Sequence, residues 1–155
     1  IIDELLGHAY DLCEMGKFND AIDVYDRILN DNPNNIHALI DKGVTLQRMN
    51  QNNSSLECLK IALKLESENI DALIAIGTTL HAMGEFNTAI TYYNKALKID
   101  ENLPIVLAYK GLALGELGKI TSALEYFKAA LSIDKYLGIA IDGKNISRKI
   151  LESKN

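Results

Sequence analysis

The sequence predicts an all-α fold, a solenoid of antiparallel helix pairs, and three observations predict it. First, one twenty-residue phrase recurs: CEMGKFNDAIDVYDRILNDN from residue 13, QRMNQNNSSLECLKIALKLE from 47, HAMGEFNTAITYYNKALKID from 81 and GELGKITSALEYFKAALSID from 115. The starts lie 34 residues apart without a break, and a period of that length marks supersecondary units that stack on one another. Second, each period holds two stretches of helically spaced apolar residues with a breaker between them. Third, small residues return at matched depths in the two stretches. The expected organisation is a single domain, 1–155, with repeats 2–35, 36–69, 70–103 and 104–137 and a capping helix over 138–153.

Within a repeat, the first helix shows apolar or small residues at its fourth, eighth and eleventh positions: Leu73, Gly77 and Leu80, then Leu107, Gly111 and Leu114. At 3.6 residues per turn these share a face. The breaker is Gly16, Gly84 or Gly118, with Asn50 in the second repeat; both residue types tolerate the left-handed conformation that ends a helix. The second helix carries Ala21, Ser55, Ala89 and Ala123, with Tyr25, Leu59, Tyr93 and Phe127 one turn further along. Ser54 and Glu57 offer that helix a capping box in the second repeat. Ala9, Gly43, Gly77 and Gly111 are expected opposite Ala21, Ser55, Ala89 and Ala123, because a large side chain at either place would separate axes that pack about 8–10 Å apart. Met15, Met49 and Met83 share one position with Leu117 and read as packing at the end of the first helix.

Residues 138–155 begin like a fifth first helix, but its eighth and eleventh positions are polar, Asn145 and Arg148. No partner helix follows, so this is expected to be a terminal cap with a polar outer face. Ile139, Ile141, Ile146, Ile150 and Leu151 would cover the end of the fourth repeat. At the other end, Ile1, Ile2 and Leu5 run into a helix without a capping residue. That raw apolar edge is expected to reflect missing upstream sequence or to support a homo-oligomer. The absence of an initiator methionine likewise reads as a processed product or a piece of something longer.

Composition removes several function classes. Hydrophobic residues make up 48% of the chain, ordinary for a globular protein. A net charge of −5 has the wrong sign for a general nucleic-acid or anionic-lipid binder. No apolar run reaches the roughly 20 residues of a membrane helix. Cys13 and Cys58 form no motif and point to free thiols in a reducing compartment, so the expected location is cytoplasmic. His8 reads as a satisfied core histidine; His37 and His81 have no companion ligands at metal spacing. GLALGELGKIT approaches a phosphate loop, but Ala113 stands where the first glycine belongs and Ile120 where Ser or Thr does. The Asn-x-Ser matches at Asn52, Asn53 and Asn145 have no export signal beside them; turn and capping use accounts for the first two. No catalytic set, metal site or cofactor loop emerges, and the chain is not expected to be an enzyme.

The recurring residues carry a resemblance to the tetratricopeptide repeat family, with small residues at positions 8, 20 and 27 and large ones at 11 and 24. Position 27 holds Ile28, Ala62, Ala96 and Ala130; the family's proline at 32 survives only as Pro33, and Leu5, Leu39, Leu73 and Leu107 replace its tryptophan at 4. The resemblance implies a right-handed superhelical α-solenoid whose first helices line a concave groove. Positions 2, 5, 6, 9, 12 and 13 would then look into the groove. Carried onto this chain they nominate Leu6, Tyr10, Ile40, Asp41, Val44, Arg48, Asp71, Ile74, Thr78, His81, Ala108, Tyr109 and Leu112. Relatives that hold acidic chaperone tails use a clamp of Lys, Asn and Arg, expected at positions 5 and 9 of one repeat, 6 of the next, and 2 and 6 of the third. From the first repeat these are Leu6, Tyr10, Asp41, Asp71 and Ala75, and from the second Ile40, Val44, Ala75, Ile105 and Tyr109; neither set has a cation, so a chaperone acidic tail is disfavoured.

The resemblance therefore implies a protein-interaction scaffold. An apolar groove floor with excess carboxylates would bind a partner peptide or helix with apolar anchors and basic flanks. Two alternatives stay open: a self-associating structural solenoid, and a regulatory or substrate-positioning module of a larger enzyme. Fold by itself does not fix which of these the chain is.

Overall fold

The computed structural model describes residues 1–155 and consists of nine α-helices with no strand. They are α1 (Ile2–Glu14), α2 (Phe18–Asp31), α3 (Ile36–Arg48), α4 (Asn52–Leu65), α5 (Ile70–Ala82), α6 (Phe86–Ile99), α7 (Pro104–Glu116), α8 (Ile120–Ile133) and α9 (Gly138–Ser153). The all-α expectation holds, and odd- and even-numbered helices alternate as first and second members of pairs. The helices gather into two compact units, Ile1–Thr79 and Leu80–Asn155, the division falling inside α5.

The breakers act through backbone geometry. Gly16, Gly84 and Gly118 have φ of +74°, +79° and +76°, and Asn50 takes the same left-handed region at 63°. Behind each, the next residue's N–H returns to a carbonyl near the helix end: Lys17 to Leu12 at 2.8 Å, Gln51 to Leu46 at 2.8 Å, Lys119 to Leu114 at 2.9 Å. This is the Schellman arrangement, which satisfies carbonyls that the helix leaves unpaired. Helix starts are set by Asn35 and Asn69, whose side chains accept from the N–H groups of Ala38 and Ala72 at 2.9 Å. Pro104 takes the first turn of α7, where no N–H is required. The capping box does not form. The α4 helix starts three residues earlier than that box requires, at Asn52, and Ser54 lies inside its first turn.

In the unit Ile1–Thr79, the first pair closes over Ala9, Leu12, Cys13, Ala21, Tyr25 and Ile28, with Leu5, Leu6 and Phe18 packed against them. In the second pair the backbones come close enough for the Ser55 hydroxyl of α4 to donate to the Gly43 carbonyl of α3 at 2.7 Å. Gly43 is there for Leu59: a Cβ on it would lie 2.6 Å from Leu59 Cγ. Thr79 donates to the Ala75 carbonyl at 2.7 Å, which satisfies its buried hydroxyl within its own helix.

The unit Leu80–Asn155 is built around Phe127, 3% exposed, with Ala108, Leu114, Ala123, Ala130 and Ala140. The Phe127 ring lies between two glycines on different helices. A Cβ would meet its Cε1 at 2.7 Å from Gly111 of α7 and at 2.5 Å from Gly143 of α9.

Four expectations are corrected. On α9 the residues facing inward are Ala140, Gly143 and Ser147, while Ile139, Ile141 and Ile146 stay exposed. The reason is visible along the period. The third and tenth positions of the first helices (Ala38, Ala72, Val106 and Ala140; Thr45, Thr79, Ala113 and Ser147) are all buried. On α9 those columns are buried, while its fourth, eighth and eleventh positions, Ile141, Asn145 and Arg148, are exposed. On α1 the same two positions are Glu4 and Asp11, both exposed. Leu5 is packed into the core, so the uncapped edge is apolar only at Ile1 and Ile2, 91% and 38% exposed, and it carries those two carboxylates beside them. His8 is exposed rather than a core histidine, because its position on α1 turns it away from α2. Met15 and Met83, at 60% and 39% exposed, lie on the surface beside the turns.

Candidate functional site

The nominated face opens into a pocket in each unit. In Ile1–Thr79 it lies between α1 and α3, a cavity of about 180 Å³. Tyr10 and Val44, 62% and 37% exposed, stand on its two walls. Arg48 closes one end: its Nη1 lies 3.9 Å from Glu14 Oε1 and its guanidinium 4.9 Å from the centre of the Phe18 ring. Both Glu14 and Arg48 are largely solvated, so the pair is a weak, adjustable latch.

Hydrogen-bonding groups stand on the floor of this pocket among a mainly apolar lining. Thr45 spends its one proton on the Asp41 carbonyl at 2.8 Å. The Cys13 thiol therefore donates to Thr45 Oγ1 across 3.3 Å. Tyr25 OH is 4.0 Å from the same sulfur, and burial, then Cys13, raises the phenol's pKa well above its ordinary value. Asp41 remains in contact with solvent. Partial burial nevertheless raises its pKa, with Asp71 adding to the shift and His37 opposing it.

The other nominated residues of this unit divide. Asp71 is exposed; Leu6, Ile74 and Thr78 are half-buried. Thr78 Oγ1 has Gln47 Oε1 at 3.3 Å and the Ala75 carbonyl at 3.1 Å. Ile40 is 8% exposed and offers no open surface, since it packs helix against helix.

In Leu80–Asn155 the face includes His81, Tyr109 and Leu112, each half-buried, whereas Ala108 is fully buried in the core. His81 meets Phe86 edge to face at 5.0 Å, and burial lowers its pKa against the opposing effect of Glu116. Tyr109 lies 5.9 Å from the Tyr93 ring. A second cavity of about 260 Å³ opens between α7 and α9. Leu112, Gly115 and Glu116 line it from α7; Gly143, Ile146, Ser147 and Ile150 line it from α9; Phe127 forms the floor.

These two cavities are the same place in the period. Tyr10, Cys13, Glu14 and Tyr25 of the first correspond, three 34-residue periods later, to Leu112, Gly115, Glu116 and Phe127 of the second. Asp41, Val44, Thr45 and Arg48 correspond likewise to Gly143, Ile146, Ser147 and Ile150. Sequence reasoning missed Ile146 and Ile150 as wall residues because α9 was read only as a cap. Adding one period to Leu112 and Glu116 finds them.

No group of three or more His, Cys, Asp or Glu side chains is arranged to hold a metal. No helix is long and apolar enough to cross a membrane.

Models of the tetratricopeptide repeat match residues 2–29, 70–103 and 108–136. No curated protein matches the chain in sequence. Among solved structures, the chain is similar to PilF of Pseudomonas aeruginosa, with TM-score 0.89 and 19% identity over 98% of this chain and 69% of that one. It is also similar to MamA, with TM-score 0.80 and 22% identity over 91% of this chain and 82% of that one. A third likeness is YrrB, described as a TPR protein with an unusual peptide-binding site, with TM-score 0.72 and 21% identity over 96% of this chain and 76% of that one.

Proposed function

This chain belongs to the tetratricopeptide repeat family, and on that premise we propose that it is a non-catalytic protein-interaction scaffold. Its partner is a peptide or helix with apolar anchors and basic flanks, held on the first-helix face. One observation carries the reading: the cavity between α1 and α3 sets the solvent-exposed Tyr10 and Val44 beside the carboxylates of Glu14 and Asp41. An apolar side chain entering there leaves a neighbouring Lys or Arg within reach of two acids. Arg48 bears on only one of them, Glu14, and through a solvated contact. YrrB supports the reading only as a relative in fold that is described as binding peptide. The proposal places the chain in the cytoplasm, where the unpaired Cys13 and Cys58 stay reduced.

The test is selection of a displayed random peptide library on the full chain. We expect enrichment of sequences with an aliphatic or aromatic residue next to Lys or Arg. Val44→Arg, at an exposed position, should leave the melting temperature nearly unchanged and weaken the selected peptides by about tenfold or more, roughly 1.4 kcal/mol. Enrichment of acidic peptides, or binding that ignores Val44→Arg, overturns the reading.

A further inference from the structure

The cavity between α7 and α9 differs in chemistry from its counterpart three periods earlier. On α1 and α3, Glu14 faces a cation, Arg48, at 3.9 Å. In Arg48's place α9 carries Ile150, and Glu116, in Glu14's place, has no salt-bridge partner. Its titratable neighbour His81 is held below its ordinary pKa by burial, with Glu116 opposing that shift. The remaining polar groups have gone as well. Gly115, Gly143 and Phe127 stand where the first cavity has the Cys13 thiol, the Asp41 carboxylate and the Tyr25 phenol. Ser147 keeps a hydroxyl, but it donates to the Gly143 carbonyl at 2.7 Å. What is left is an apolar recess with one unpaired carboxylate on it, and Ile146 exposed at 59% on its wall. At about 260 Å³ it is smaller than the roughly 300–1,000 Å³ of small-molecule sites, so its size suits one side chain.

We propose that the α7–α9 recess is a separate anchor site that takes a leucine-sized apolar side chain of a partner peptide, with a Lys or Arg next to it on Glu116. This rests on the scaffold reading and sharpens it. The recess selects the apolar anchor, and the vacant ion-pair position left by Ile150 selects the cation.

The experiment uses the full chain with ¹³C-labelled Ile, Leu and Val methyls. It is titrated with three acetylated hexapeptide amides, Gly-Gly-Leu-Lys-Gly-Gly and the same peptide with Leu-Glu or Asn-Lys at its centre. The Leu-Lys peptide should shift the methyls of Leu112, Ile146 and Ile150. The Leu-Glu peptide should bind about fivefold or more weakly, and the Asn-Lys peptide should leave these methyls still. Ile150→Arg should abolish the preference for Leu-Lys over Leu-Glu by giving Glu116 an internal cation. Gly115→Leu should block binding outright. Nothing lies within 4 Å of where a Cβ on Gly115 would sit, so the recess is filled without a clash. If Val44 responds to the Leu-Lys peptide while Leu112, Ile146 and Ile150 do not, the α7–α9 site is refuted and the scaffold reading survives. If no methyl responds to any peptide, both fail. A preference that persists in Ile150→Arg refutes the role given to Glu116.

Discussion

Gly143 and Gly7 both lie within helices, yet their neighbours give them opposite roles. A methyl on Gly143 would press into the Phe127 ring from α9 at its Cζ, where the ring also packs on Gly111 of α7. Gly143→Ala is therefore expected to cost about 1–3 kcal/mol by overpacking. Gly7 sits mid-helix in α1, exposed, with nothing within 4 Å of the place a Cβ would occupy. Gly7→Ala only restricts the unfolded chain and should add roughly 0.5–1 kcal/mol. Denaturant unfolding of the two variants beside wild type checks both signs; a gain from Gly143→Ala would show that Phe127 is not confined.

At the scale of the helix, the terminators form a second contrast. Asn50 takes φ of 63°, where the other three repeats use glycine. Asn50→Gly should stabilise the α3 end by a few tenths of a kcal/mol to about 1 kcal/mol, and Gly84→Ala should destabilise the α5 end by about 1 kcal/mol or more. Thermal melts of both variants decide it, and equal effects of the same sign would refute the left-handed account. These ends were legible in the sequence because a left-handed residue is a local requirement with few solutions. The alternation of helices was legible because the period repeats it four times. The inward face of α9 was not legible. In a helix with a partner, the fourth, eighth and eleventh positions dominate the pattern. On α9 the buried columns are the third and tenth, Ala140 and Ser147, small residues that carry little hydropathy signal. The recess walls Ile146 and Ile150 read instead as cover for the fourth repeat, because the sequence of α9 presents only a cap. Ile40 and Ala108 were over-assigned in turn, since an apolar residue on a first helix satisfies a groove and a helix contact equally well on paper.

For the whole molecule, Glu4 and Asp11 on α1 are expected to oppose the stacking of a second copy against that helix. Glu4 and Asp11 occupy the columns that are Ala or Val and Thr, Ala or Ser in later first helices. A second copy stacking there would bury two carboxylates without partners, which is strongly unfavourable. The chain, at net charge −5, is expected to sediment as a monomer across a concentration series. The double variant Glu4→Ala, Asp11→Thr should show concentration-dependent association. A wild-type dimer with the variant unchanged would rule out this edge as the controlling surface.

The buried columns of α3 and α5 have one more property. Ala38 and Thr45 on α3 are matched by Ala72 and Thr79 on α5, and the start-setting Asn35 by Asn69, identical residues one period apart. Excising residues 36–69 would therefore present the first pair with the same alanine, threonine and asparagine that it already meets. The excised chain keeps this joint, whereas a cut one residue longer or shorter turns the fused helix by about 100° against Asn35. At this joint, then, whole-period changes of length keep alanine and threonine on their seats.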